Sequence, residues 1–207
     1  RSKPNNCGKV IYFNDDKARD VIRRTYGDVE SYKGVEMADL YRYAIIYMSG
    51  GIYMDVDVTC KIATKDWLST YEISYIPDLI VGIEFYDPLQ CVQWTFMGKA
   101  KSPILNHIIE YIKKYHLPKY PPGKDPVSRT GPVAFTAAIL DFMKVHCGYT
   151  QSTQMNDVKA SHFFCNEGTK IVILPYRAFA TPGYHPKGII TTGKILIRHH
   201  FKGSWKN

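Results

Sequence analysis

The sequence lacks any apolar stretch near the ~20 residues that a membrane-crossing helix needs. Its apolar runs are short, Leu79–Val81 and Ala44–Ile46 among them. It also lacks a signal-peptide h-region, a Walker loop, a GxGxxG turn and any evident Ser/His/Asp or Cys/His arrangement. Those absences argue against P-loop, dinucleotide-binding and nucleophilic hydrolase chemistry. Internal repeats and low-complexity runs are missing too, which excludes a solenoid. Cysteine is scarce: Cys7, Cys60, Cys91, Cys147 and Cys165 are odd in number, widely spread and without a CxxC. Neither a zinc site nor a disulfide framework is indicated by that pattern. Reduced, buried thiols in a cytosolic protein are the expectation.

The chain has 207 residues, 45% hydrophobic, 22% charged and 14% aromatic, an ordinary globular mix. A chain of this size builds one complete core, so a single domain is expected over residues 1–207. Residue 1 is Arg rather than Met, so the chain is expected to begin inside a longer product; the domain itself is expected towards the N-terminal part of such a protein. Lys and Arg outnumber Asp and Glu by 27 to 19, a formal net charge of +8. That balance favours anionic partners, with a solvated basic face as the plain alternative.

Lys9–Phe13 reads as a strand and Asn14 as the cap of a following helix. A second helix is expected over about Val35–Met48, with Met37, Tyr41, Ala44, Ile45 and Met48 as its apolar stripe. Gly50-Gly51 ends it, and Ile52–Val58 reads as a short strand. Further strands are expected at Leu79–Glu84, Trp94–Met97, Ile171–Leu174 and Lys194–His199. Ser102-Pro103 opens one helix and Thr130-Gly131-Pro132 another. Leu117–Thr130 carries four prolines and reads as an irregular, functional loop. Strands alternating with helices imply an α/β layered fold.

The most informative stretch is Gly50-Gly51-Ile52-Tyr53-Met54-Asp55-Val56-Asp57-Val58. Two carboxylates one residue apart, at the end of a strand, can converge on one hard cation such as Mn²⁺ or Mg²⁺. Without a cation they would repel. Two solvated turn aspartates are the ordinary alternative. The preceding helix carries Asp39 and Arg42 at i and i+3 on one face. They read as a carboxylate for sugar hydroxyls beside a guanidinium for phosphate, or as a surface ion pair.

Asp39-Leu40-Tyr41-Arg42 followed by Gly50–Val58 resembles the DxD sugar-binding region of glycosyltransferases related to the yeast initiating α-1,6-mannosyltransferase and the inositol-phosphoceramide mannosyltransferases. Small bacterial and viral capsule- or capsid-glycan enzymes share it. The sixteen-residue spacing from Asp39 to Asp55 is also similar to that of the clostridial glucosylating toxins. Gln93-Trp94-Thr95, Thr130-Gly131-Pro132 and His199–Trp205 resemble later family segments. The resemblance implies a GT-A-like domain with a central mixed sheet of about six strands. It also implies a metal-dependent, retaining hexosyltransferase with Mn²⁺ or Mg²⁺, a nucleotide-sugar donor and a glycan or glycoprotein acceptor. Family members open on an IPKIIHQIW-type strand, whereas here Lys9–Phe13 looks like the next one.

The resemblance assigns Asp57 to the metal, and Asp55 to the metal, ribose or sugar. It adds His200 as a third ligand, with His199 as rival because strand alternation lets only one face the site. Gln93 is a candidate for the β-face of the sugar, with Glu84 and Asp87 near the acceptor. Gly131, Ser204, Trp205, Lys202 and Lys206 join Asp39 and Arg42 as donor-binding candidates. A UDP-sugar is favoured, uracil stacking on Tyr12 or Tyr43, with GDP-mannose as the alternative. No nucleic-acid partner and a cytoplasmic location are expected, the Golgi lumen being open if an anchor were trimmed. Two other classes compete. Asp55-Val56-Asp57-Val58-Thr59 fits the first motif of haloacid-dehalogenase phosphatases, and Tyr with Lys/Arg fits a nucleic-acid-binding module.

Overall fold

The computed structural model describes residues 7, 10–12, 14–27, 32, 34–150, 152–179 and 193–200. In chain order the elements are α1 (Asp15–Tyr26), α2 (Val35–Ser49), β1 (Gly51–Met54), β2 (Val58–Cys60) and α3 (Trp67–Thr70). There follow β3 (Leu79–Tyr86), β4 (Leu89–Cys91), β5 (Thr95–Gly98) and α4 (Pro103–Tyr111), which runs into a wide π-type turn over Ile112–His116. The rest are α5 (Pro126–Arg129), α6 (Pro132–His146), β6 (Ser161–Phe164), β7 (Lys170–Leu174) and β8 (Ile197–His199).

The fold is α/β, and its centre is a mixed sheet of six strands in the order β1-β5-β3-β7-β6, with β4 also paired to β3. β3 and β7 run parallel and the other pairs antiparallel. β2 and β8 form a separate two-stranded ribbon. Both faces of the sheet are covered. Leu79, Val81 and Ile83 of β3 and Ile171 and Ile173 of β7 face a core shared with α1, α2, α4 and α6. The alternate residues Ile80, Val172 and Leu174 face a second core with Trp67, Phe179 and Ile197. Period-2 alternation with both faces apolar explains why β3 reads as a continuous apolar run. Each fully buried side chain of this kind contributes about 1.5–3 kcal/mol.

Helix starts follow local chemistry. Asn14 Oδ1 accepts from Lys17 N at 3.1 Å, and Ser102 Oγ accepts from Leu105 N at 3.4 Å with proline next in line. α2 ends at Gly50, whose N–H donates to the Ile46 carbonyl at 2.8 Å. Gly50 has φ +66°, and a Cβ there would lie 2.9 Å from the Ala100 backbone nitrogen. Only glycine fits this corner, which aims the chain into β1.

Two expectations fail and a third holds in part. Val10, Ile11 and Tyr12 are exposed and form no strand, so an N-terminal strand is not seen among the described residues. A β-rich run forms a strand only where a partner edge accepts it. The apolar stripe of α2 holds in part: Ala44 is buried and Met37, Tyr41 and Ile45 pack against the core, but Met48 is exposed, and Glu36, Asp39, Leu40, Arg42 and Tyr43 are buried as well. The helix is packed nearly all round: Leu40, Tyr43 and Ala44 are fully buried, and beside them Asp39 pairs with Arg42 and Glu36 with Arg129. Finally, the cysteines are not reduced thiols. Cys7–Cys60 and Cys147–Cys165 are disulfides that join residues 53 and 18 positions apart, leaving Cys91 buried and free. Such connectivity is set by the fold and is not readable from spacing. Leu117–Thr130 is irregular as expected, except that its last turn forms α5, capped by Asp125.

Candidate active site

β1 delivers Asp55 to the rim of the sheet, where its N–H donates to the Trp94 carbonyl at 2.9 Å. The chain then turns through Val56, which is 87% exposed, and Asp57 into β2. β8 pairs with β2 so that His199 lies opposite Val58. That register points the His199 ring at both carboxylates: Nε2 is 3.1 Å from Asp57 Oδ1 and 3.7 Å from Asp55 Oδ2. The Trp94 ring supports it at 4.7 Å between centroids. His200 faces the other way, its Nε2 2.8 Å from Thr59 Oγ1. Strand alternation therefore turns His199 to the acidic pair instead of the favoured His200.

Among the described residues, Asp55, Asp57 and His199 are the group of three whose ligand atoms all lie within 4.8 Å of one another. Two carboxylate oxygens and an imidazole nitrogen suit a divalent ion of the Mn²⁺ or Mg²⁺ type, with positions left for phosphate oxygens. The residues present fit such an ion. Burial pushes the Asp55 carboxyl up, but the His199 ring, the Arg42 charge and the Tyr53 hydroxyl together hold it below the usual range.

Behind this cluster lies a closed polar layer. Arg42 Nη2 is 3.2 Å from Asp39 Oδ1 and 3.6 Å from Asp55 Oδ1. Its Nη1 donates to the Gln93 carbonyl and its Nε to the Ala38 carbonyl, both at 3.3 Å. The guanidinium lies over the Tyr53 ring at 4.8 Å, and the Tyr53 hydroxyl donates to Asp55 Oδ1 at 2.9 Å. Asp39 is 2% exposed and accepts from Gln93 Nε2 at 3.0 Å and Thr130 Oγ1 at 2.8 Å. Burial pushes its carboxyl up to about 6, against the opposing pull of Arg42, Thr130 and Gln93.

The sequence candidates divide accordingly. Asp39, Arg42, Asp55, Asp57 and Gln93 form one connected network. Gln93 is buried, with its amide committed to Asp39, to the Tyr43 hydroxyl and to the Thr130 carbonyl. Gly131 acts through packing: a Cβ there would meet the Val127 Cα at 2.8 Å. Tyr12 is 79% exposed. Tyr43 is sealed, stacked on Phe135 at 5.1 Å, so no base can stack on it, contrary to expectation. Glu84 is half-buried and accepts from Gln90 at 2.9 Å, and burial raises its carboxyl. Asp87 is exposed. Lys202, Ser204, Trp205 and Lys206 lie outside the described residues. Tyr53, Trp94 and Thr130 were missed as site members. The available signals were the i+2 position of Tyr53 relative to Asp55, and the adjacency of Trp94 to Gln93.

Residues 8–74 match the family described as "Glycosyltransferase sugar-binding region containing DXD motif". The matched stretch holds Asp39, Arg42, Asp55 and Asp57, whereas Gln93, Thr130 and His199 reach the site from outside it. Over 94% of its length the chain is 26% identical to the initiation-specific alpha-1,6-mannosyltransferase of Schizosaccharomyces pombe. Over 84% it is 24% identical to the protein of the same name from Candida albicans. It spans about half the length of these relatives, 55% of each. A solved structure titled "PaToxG Glycosyltransferase" overlaps 53% of this chain and 36% of its own, at 17% identity and a TM-score of 0.43. Among the described residues, no helix is long and apolar enough to cross a membrane.

Proposed function

We propose that this chain is a metal-dependent glycosyltransferase of GT-A type that moves a hexose from a nucleoside-diphosphate sugar to a glycan or glycoprotein acceptor, with retention. The observation that carries this reading is the convergence of Asp55, Asp57 and His199 in front of the buried Asp39–Arg42 pair. Those three residues would hold a divalent ion, which when bound neutralises the charge that develops on the leaving diphosphate. Arg42 adds a fixed positive charge beside Asp55. Asp39, positioned by Gln93 and Thr130, fixes Arg42 and orients the sugar end. A phosphatase of the haloacid-dehalogenase type fits less well, because Asp55 leaves an edge strand and its third partner is a histidine.

Mannose from a GDP donor is the sugar we favour. The relatives' names support mannose, and the burial of Tyr43 removes one of the two rings offered for stacking uracil. Four of five cysteines are in disulfides, which favours an oxidising compartment over the cytosol. Calorimetry with GDP, UDP and CMP, each with and without Mn²⁺, tests the assignment. Mn²⁺-dependent binding with GDP tightest is expected. Tighter UDP binding would move the donor to a UDP-hexose, and no Mn²⁺ dependence for any nucleotide would remove the transferase reading.

A further inference from the structure

Trp94 joins the two halves of the candidate metal site. Its carbonyl accepts from Asp55 N at 2.9 Å, and its ring lies 4.7 Å from that of His199. Asp55 follows β1 of the main sheet, whereas His199 belongs to the β2–β8 ribbon. The placement of this one indole therefore sets how sheet and ribbon meet. The indole is 6% exposed and packs near Phe179, at 6.1 Å between centroids. Apolar burial fixes its depth but is non-directional, so it leaves the ring free to turn. A hydrogen bond at the indole N–H removes that freedom.

Glu84 supplies the acceptor. β1 and β3 both pair antiparallel with β5, so they run parallel to each other. Glu84, near the end of β3, is thus carried to the same edge of the sheet as Asp55. The register of β3 against β4 shifts at this point. Ile83 lies opposite Cys91 and Phe85 opposite Gln90, which leaves Glu84 as the extra residue of a β-bulge. Bulges at a sheet rim re-aim a side chain. The carboxylate accepts from Gln90 Nε2 at 2.9 Å. Burial raises its pKa, and the Gln90 amide, the His199 ring and the Trp94 indole N–H oppose that rise. Among the described residues no Lys or Arg offsets its charge. A carboxylate in such a place costs free energy that an apolar residue would not. What it adds is a fixed acceptor beside Trp94.

We infer that Glu84 is a positioning residue that keys the Trp94 ring and, through it, holds His199 in register with Asp55 and Asp57. This rests on the transferase reading above and deepens it. Glu84 then serves the metal end of the site and not the acceptor.

The test compares two near-isosteric variants of the full chain. Glu84→Gln keeps an oxygen that can accept from the indole, and Glu84→Met does not. Mn²⁺ is titrated by calorimetry with GDP or UDP present. Glu84→Met should weaken Mn²⁺ binding by about ten-fold or more, the loss typical of a partner behind a metal ligand. Glu84→Gln should restore it, and Tm should not fall in either. In ¹⁵N spectra the Trp94 indole N–H signal, identified by its absence from Trp94→Phe, should shift in Glu84→Met and stay in place in Glu84→Gln. Unchanged Mn²⁺ affinity in Glu84→Met overturns the inference. So does an equal loss in Glu84→Gln, which would show that charge acts and not the hydrogen bond. Transfer that falls in Glu84→Gln while Mn²⁺ affinity holds would move Glu84 to the acceptor and also overturn it. If the wild type binds no Mn²⁺ with either nucleotide, the transferase reading falls by itself. Amide exchange of Ile197–His199 in the metal-free protein then decides the keying. Exchange that is faster in Glu84→Met and restored in Glu84→Gln supports it, and no change overturns it.

Discussion

Helix α2 holds two buried ionic clusters one turn apart, and they are built differently. Glu36 and Arg129 are closed off, 1% and 4% exposed, with Glu36 Oε1 and Arg129 Nε bonded to backbone groups of the same loop. Asp39 and Arg42 are equally buried, but their network runs outward to Asp55, whose side chain is 28% exposed, and on towards Asp57 and His199. The first cluster has all its partners within the fold. The second gathers more acidic groups at its open end than the protein's own cations match. That difference separates a structural ion pair from a site awaiting a ligand.

Breaking the closed cluster should give the largest loss of stability. Arg129→Met leaves Glu36 buried and unpaired, and is expected to cost about 3–5 kcal/mol in chemical unfolding. Asp57→Ala should do the reverse. It removes a ligand and relieves repulsion, so Tm holds or rises while Mn²⁺-dependent nucleotide binding weakens by about 100-fold or more. A Tm collapse in Asp57→Ala would make the two clusters alike and end the distinction.

Arg42→Lys sharpens it further. A point charge cannot serve Asp39 and Asp55 together as the guanidinium does. The nucleotide sugar should lose about ten-fold in affinity and the free nucleotide less; equal losses in calorimetry would show that Arg42 does not reach the sugar.

The smallest effect concerns pH. The Asp39 carboxyl is raised to about 6, so the folded state holds its proton more tightly than the unfolded chain does. Its contribution to stability is present below pH ~4 and is lost as pH rises to about 6. Sugar binding should move the opposite way and strengthen through the same window as the carboxylate forms. Asp55, with a lowered value, contributes stability above its unfolded value and loses it on acidification. Asp39→Asn isolates the first contribution: urea titrations from pH 4 to 7 should show its slope flattened, and an unchanged slope would show that Asp39 ionises normally.

Residues whose role depends on local spacing were legible in the sequence. Asp39 with Arg42 share a helix face, Asp55 and Asp57 follow a strand, and Ser102 caps a helix; each follows from a fixed period. What depends on distant partners was not. His199 and His200 are neighbours, and only the pairing of β8 with β2 decides which one meets the aspartates. Glu36 and Arg129 could not be paired from the sequence, where they lie 93 positions apart. The apolar stripe of α2 was legible from Met37 to Ile45, but the burial of the charges Glu36, Asp39 and Arg42 beside it was not, because the partners that close over them come from other elements. The disulfides share this cause, since Cys7 meets Cys60 only when the chain end returns to β2.

The Asp55-Val56-Asp57 turn joins two separately hydrogen-bonded bodies. Asp55 is fixed to the main sheet through Trp94, whereas Asp57 accepts from His200 N and sits beside His199 in the β2–β8 ribbon. An ion held by Asp55, Asp57 and His199 would thus rivet the ribbon to the sheet. Thermal stability would then climb with the logarithm of metal concentration, and amide exchange in β2 and β8 would slow, while β7 at the sheet's centre would not respond.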